Sequence, residues 1–132
     1  MTDELDRAGI SRLVHAFYAR IQEDELLGPV FETRVRGHWP EHLDKMVDFW
    51  SAALLHEPGY AGNPRSVHAR LDGVGPEHFR RWLELFSRTL GELFAEHVAD
   101  QILARARMMA GGLLSARGFG RHHLSMRPPN ES

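Results

Sequence analysis

Two histidines, a tyrosine and a tryptophan stand where their side chains could do more than fill space. His42 lies on an apolar stripe with Trp39, Leu43, Met46, Phe49, Trp50, Ala53 and Leu54, which recur at i, i+3, i+4 and i+7 over Trp39–Leu55. His68 sits in a short helical stretch starting at Pro64, isolated between two Gly/Pro breaks. A single turn of that kind has little stability of its own and needs an anchor, either packing or a metal bond. Tyr18 and Trp82 fall on the apolar stripes of two other helices, and each carries a proton donor that must be satisfied when buried. A flat apolar slot, an axial imidazole on one side and a controlled polar pocket on the other are what a haem iron requires. His68 is the sharper ligand candidate, and Phe31, Met46, Phe49, Trp50 and Met108 are candidate walls. The same five residues would also serve as plain helix-bundle core, and composition does not separate the two readings.

The donors at Tyr18 and Trp82 suit one further task. Dioxygen on iron gains partial negative charge, which a phenol O–H and an indole N–H would both stabilise. Hydrogen bonds to charged acceptors contribute about 1.5–3 kcal/mol, which slows ligand escape by about ten- to a hundredfold. The alternative is that each donor simply caps a buried carbonyl.

These residues need helices to position them. Asp3 to Ile21 reads as the first, with Ile10, Leu13, Val14, Phe17, Tyr18 and Ile21 on its stripe and a break expected between Gly9 and Ser11. His15 lies off that stripe and is expected to be exposed. Gly28-Pro29 reads as a turn, with a short helical turn over Leu27–Phe31. The Trp39–Leu55 helix tolerates Pro40 in its first turn, where no backbone donor is lost, and the chain reads as organised around it. HEPGYAGNPRS is the longest irregular stretch, of the functional or mobile kind. Pro76 to about Phe94 and Glu96 to about Arg117 are the last helices, with Gly118 as a stop. No strand pattern or internal repeat is visible, so the fold is all-α.

Composition narrows the function classes. At 132 residues and 42% hydrophobic, the chain is one domain with room for a core. A net charge of −2 carries no basic field for nucleic acid. The lack of cysteine excludes disulfides and thiolate chemistry and suits a reducing cytoplasm. No run is apolar enough for a membrane span, and the acidic N-terminus is no signal peptide. Neither HExxH-type ligand spacing, nor a phosphate loop, nor a nucleophile elbow occurs.

Phe17-Tyr18, LGPVF at Leu27–Phe31, WPEHLDKMVDFW at Trp39–Trp50, Val67-His68 and RWLELF at Arg81–Phe86 follow one another in an order that resembles the group III truncated haemoglobins of bacteria. The match extends from about Ile10 to Gly118. It implies a truncated globin, a two-over-two helical sandwich around haem b over residues 1–118, with a polar tail at 119–132 outside the likeness. By resemblance His68 is the proximal iron ligand, while Tyr18, His42 and Trp82 are distal. Tyr18 and Trp82 would be the principal donors to bound ligand, and His42 a gate or a sixth iron ligand. The family implies binding of dioxygen, nitric oxide and cyanide, and the composition a cytoplasmic protein. Redox work at the same iron, as nitric oxide dioxygenase or peroxidase, ranks second: it needs a reductase the sequence does not show, and a neutral histidine pushes less electron density than a thiolate. Oxygen transport is disfavoured, because strong hydrogen bonds make release slow. A cofactor-free helical interaction domain remains the bland alternative.

Overall fold

Asp6 starts the first helix, and it leaves no break behind it. Its Oδ1 accepts the Gly9 N–H at 2.8 Å, satisfying an otherwise orphaned first-turn donor. Helix α1 therefore runs unbroken over Arg7–Glu23, where a Gly9–Ser11 break was expected. The computed structural model describes the backbone of residues 4–57 and 75–116, and side chains as far as residue 111. The remaining helices are α2 (Leu27–Val35), α3 (Trp39–Leu55), α4 (Pro76–Leu93) and α5 (Glu96–Ala116). The expected short helix around His68, the HEPGYAGNPRS loop beyond Glu57, the stop at Gly118 and the 119–132 tail lie outside the described residues.

The Gly28-Pro29 pair is not a turn but the first turn of α2, where proline's missing N–H costs nothing. The chain reverses earlier, at Asp24. Both N–H groups at the start of α2, Leu26 and Leu27, donate to Asp24 Oδ2 at 3.1 and 3.0 Å. Glycine at 28 is required by close approach: a Cβ there would lie 2.9 Å from the Gln22 carbonyl oxygen.

Helix α1, not α3, is the element the others gather on. It packs against α2, α3 and α4, and α4 in turn packs against α5. The pairs α1/α3 and α4/α5, joined through α1 and α4, make the two-over-two arrangement. Ile10, Leu13, Ile21, Leu83, Ile102 and Ala106 are fully buried at the centre. Each large aliphatic among them contributes about 1.5–3 kcal/mol of transfer free energy.

Helix α3 fully buries only part of its expected stripe against this core. Val47, Trp50 and Ser51 are its fully buried residues. Of the expected stripe only Trp50 is fully buried; Trp39, His42, Leu43, Met46, Phe49, Ala53 and Leu54 are half-buried and flank that contact. The apolar arc of α3 is thus wider than one helix–helix contact covers, and part of it stays open.

Candidate functional site

Tyr18 is the centre of the site. Helix α1 places it on the buried stripe, 4% exposed, and rings from three other helices close on it. His42 of α3 meets it edge-on with ring centroids 5.0 Å apart and planes at 90°. Phe31 of α2 lies at 5.8 Å, and Trp39 at 6.2 Å. From α4, the Trp82 indole N–H donates a hydrogen bond to the Tyr18 hydroxyl oxygen. The two donors singled out from sequence are therefore bonded to each other. With the indole N–H committed, the Tyr18 O–H is the group that can donate onward.

Burial pushes the Tyr18 phenol well above its ordinary pKa, and the Trp82 hydrogen bond offsets this only in part. A desolvated phenolate is costly, so the hydroxyl keeps its proton at neutral pH. It is a donor rather than an anion.

Trp82 is held by its ring faces. It stacks on Phe86 with centroids 4.9 Å apart and planes at 16°, and Phe17 abuts it edge-on at 5.0 Å. Phe86 continues the stack to Trp50 at 5.2 Å. Trp50, a candidate wall residue, is 2% exposed and so backs the wall from inside the core.

The open wall is the half-buried flank of α3, formed by His42, Met46 and Phe49 beside Trp39 and Ala53. His42 contributes an imidazole with a buried Nε2, caged by the rings of Tyr18, Trp39 and Phe31. Helix α5 approaches the same flank: Arg105 reaches the Ala53 carbonyl at 3.0 Å. Met108 lies three residues after Arg105, on the same side of α5, and is 70% exposed, which is unusual for so large an apolar side chain. His15, by contrast, is exposed and bonds back to the Ser11 carbonyl. His38, His56 and His97 are also exposed. His68 lies outside the described residues. Among the described residues, no cluster of three His, Cys, Asp or Glu side chains could hold a metal ion.

Five polar residues around this site escaped sequence reasoning. Arg81, next to Trp82, donates from Nε to Asp24 Oδ1 at 2.8 Å, and its Nη2 lies 2.8 Å from the same oxygen. Burial disfavours the Asp24 charge, but Arg81 and the N–H groups of Leu27 and Leu26 outweigh it and hold the carboxyl below its usual range. Farther along α4, Arg20 donates to Thr89 Oγ1 at 3.0 Å and pairs with Glu92. The one signal available for Asp24 was local, an aspartate three residues before a helix start. Nothing in the sequence pairs it with Arg81.

Crossed helical pairs around a half-open aromatic wall are a globin's architecture, and the chain belongs to the bacterial-like globin family, whose model matches residues 5–114. Within that family it is similar to the group 3 truncated hemoglobin ctb of Campylobacter jejuni. The two are 33% identical over 111 residues, which is 82% of this chain and 87% of that one. The crystal structure of the group III truncated hemoglobin from Campylobacter jejuni matches at a TM-score of 0.83 and 32% identity, covering 87% of this chain and 94% of that one. The likeness to group III truncated haemoglobins, and the all-α globin fold it implied, are borne out.

A globin binds haem, and the described residues fit one. The α3 flank is largely apolar and only half-buried, Met108 presents a large apolar side chain from α5, and a buried hydroxyl stands at the wall's edge. No helix among the described residues is long and apolar enough to cross a membrane.

Proposed function

We propose that this globin binds dioxygen, and also nitric oxide and cyanide, at a haem b iron, with Tyr18 as the donor to bound ligand and Trp82 acting behind it. The observation that carries this reading is a buried Tyr18 hydroxyl at the edge of the open α3 flank, ringed by His42, Phe31 and Trp39 and backed by the Trp82 indole N–H. Haem supplies the iron on which a ligand gains negative charge. Everything else falls to the chain. His68 would hold the iron, and Phe31, Met46, Phe49 and Met108 would wall the group in, with Trp50 behind them. His42, in contact with Tyr18, acts as the gate. A donor that itself accepts a hydrogen bond is polarised and gives its proton's partial charge more strongly. A cytoplasmic setting suits a chain without cysteine.

The test is the absorption spectrum of the purified protein, ferric, reduced, and reduced with carbon monoxide. A Soret band that shifts at each step is expected, and His68→Ala should lose tight haem retention. A His68→Ala protein with full haem and an unchanged spectrum would sink the ligand assignment.

The polarised Tyr18 O–H also favours a second reading, nitric oxide dioxygenation or peroxide reduction with an external reductase. Turnover with nitric oxide or peroxide that falls in Tyr18→Phe supports it. No turnover in the native protein removes it.

A further inference from the structure

We propose that Asp24 and Arg81 are a positioning pair, which holds helix α4 in the register that places the Trp82 N–H on the Tyr18 oxygen. The proposal rests on the distal-donor reading above. Asp24 commits every polar atom it has. Its N–H donates to the Ile21 carbonyl at 3.1 Å, and its carbonyl accepts from Gly28 at 2.9 Å. One carboxylate oxygen takes the start of α2, and the other takes Arg81 of α4. A single side chain, 6% exposed, thus ties together the end of α1, the beginning of α2 and the α4 turn that carries Trp82.

That tie supplies what ring packing does not. Stacked aromatic faces resist separation but offer little resistance to sliding in their own plane, and Trp82 lies nearly parallel to Phe86 at 16°. An N–H···O bond is far less tolerant, with a distance window of about 2.7–3.2 Å and a preferred near-linear angle. A charged, forked contact one residue away restricts both the slide and the rotation of α4. Arg20, through Thr89 and Glu92, holds the same two helices farther along. Two polar rungs therefore join α1 and α4, and along α4 they fall on either side of Trp82. The exposed Arg7–Asp48 pair, at 49% and 43% side-chain exposure, joins α1 to α3 and brackets nothing.

Nitrogen-15 spectra of the tryptophan indole groups test this directly. The chain has three tryptophans, and Trp82→Phe identifies its signal by loss. Asp24→Asn keeps one acceptor oxygen for the α2 N–H groups while removing the charge that binds Arg81. It should move the Trp82 indole signal, leave those of Trp39 and Trp50 in place, and speed dioxygen dissociation from the haem-loaded protein about threefold or more. Arg81→Met should do the same, and Arg81→Lys should recover part of both effects. Arg7→Gln should move neither. The proposal is overturned if folded Asp24→Asn and Arg81→Met proteins keep the Trp82 signal unchanged. Equal movement of all three indoles overturns it too, because that is general loosening. Should the Trp82 signal move while Tyr18→Phe leaves dioxygen release unaltered, the positioning stands and the distal-donor reading fails instead.

Discussion

Because Trp82 donates to Tyr18, the two side chains should act in series, and a double-mutant cycle can show it. Tyr18→Phe removes the O–H that reaches a partly anionic ligand, a loss of about 1.5–3 kcal/mol and so about ten- to a hundredfold in the dissociation rate. Trp82→Phe removes only the neutral hydrogen bond behind it, about 0.5–1.5 kcal/mol, or about two- to tenfold. Once Tyr18 is gone Trp82 has no route to the ligand, so the double variant should release ligand as fast as Tyr18→Phe alone. The coupling energy then equals the whole Trp82 effect, as expected for residues in one network. The assay is stopped-flow displacement of dioxygen by carbon monoxide, on four proteins matched for haem content. Tyr18→Phe also leaves the Trp82 N–H without its acceptor, so it should lower thermal stability as well, by about 1 kcal/mol for a half-buried donor. Two single effects that multiply in the double variant would refute the series arrangement and put both donors directly on the ligand.

Three further outcomes follow from the same geometry. The lowered Asp24 pKa means that its contribution to stability is full above about pH 4, the unfolded value, and is lost as pH falls through the lower folded one. In acid unfolding, the stability gap between wild type and Asp24→Asn should close in that window; a constant gap down to about pH 2 refutes the pairing. Tyr18 is raised by burial, so its contribution is complete below about pH 10 and declines as pH rises beyond it. Of the chain's two tyrosines, one should form phenolate late, and Tyr18→Phe should abolish that late component of the absorbance titration; its persistence would show the slow group is elsewhere. Gly28→Ala would put a Cβ 2.9 Å from the Gln22 carbonyl oxygen and 3.3 Å from that of Ile21, forcing α2 off α1 at a cost of about 1–3 kcal/mol. Urea unfolding at the wild-type midpoint would show that this approach is not as close as described.

Helix positions were largely legible in the sequence because helix formation is local. Apolar spacing along Ile10–Ile21 and Phe79–Phe94, with Pro40 and Pro76 in first turns, specified α1, α3 and α4 to within a few residues. The errors were also local: Gly9 suggested a break that the Asp6 cap removes, and Gly28-Pro29 suggested a turn that Asp24 makes four residues earlier. Tyr18, His42 and Trp82, which the structure brings together, could be picked out because a hydroxyl, an imidazole or an indole on an apolar stripe is conspicuous one residue at a time.

What the chain decided by itself is therefore the set of helices and the chemical types on each stripe. Which side of α3 is covered, and which is left as a wall, depended on where α1 docks. Val47, Trp50 and Ser51 meet the core, and His42, Met46 and Phe49 stay half open. The pairing of Trp82 with Tyr18, and of Arg81 with Asp24, joins residues more than fifty positions apart. No periodicity encodes such a partner, because a hydrogen bond depends on distance and angle in three dimensions, and only the crossing of α1 and α4 sets those.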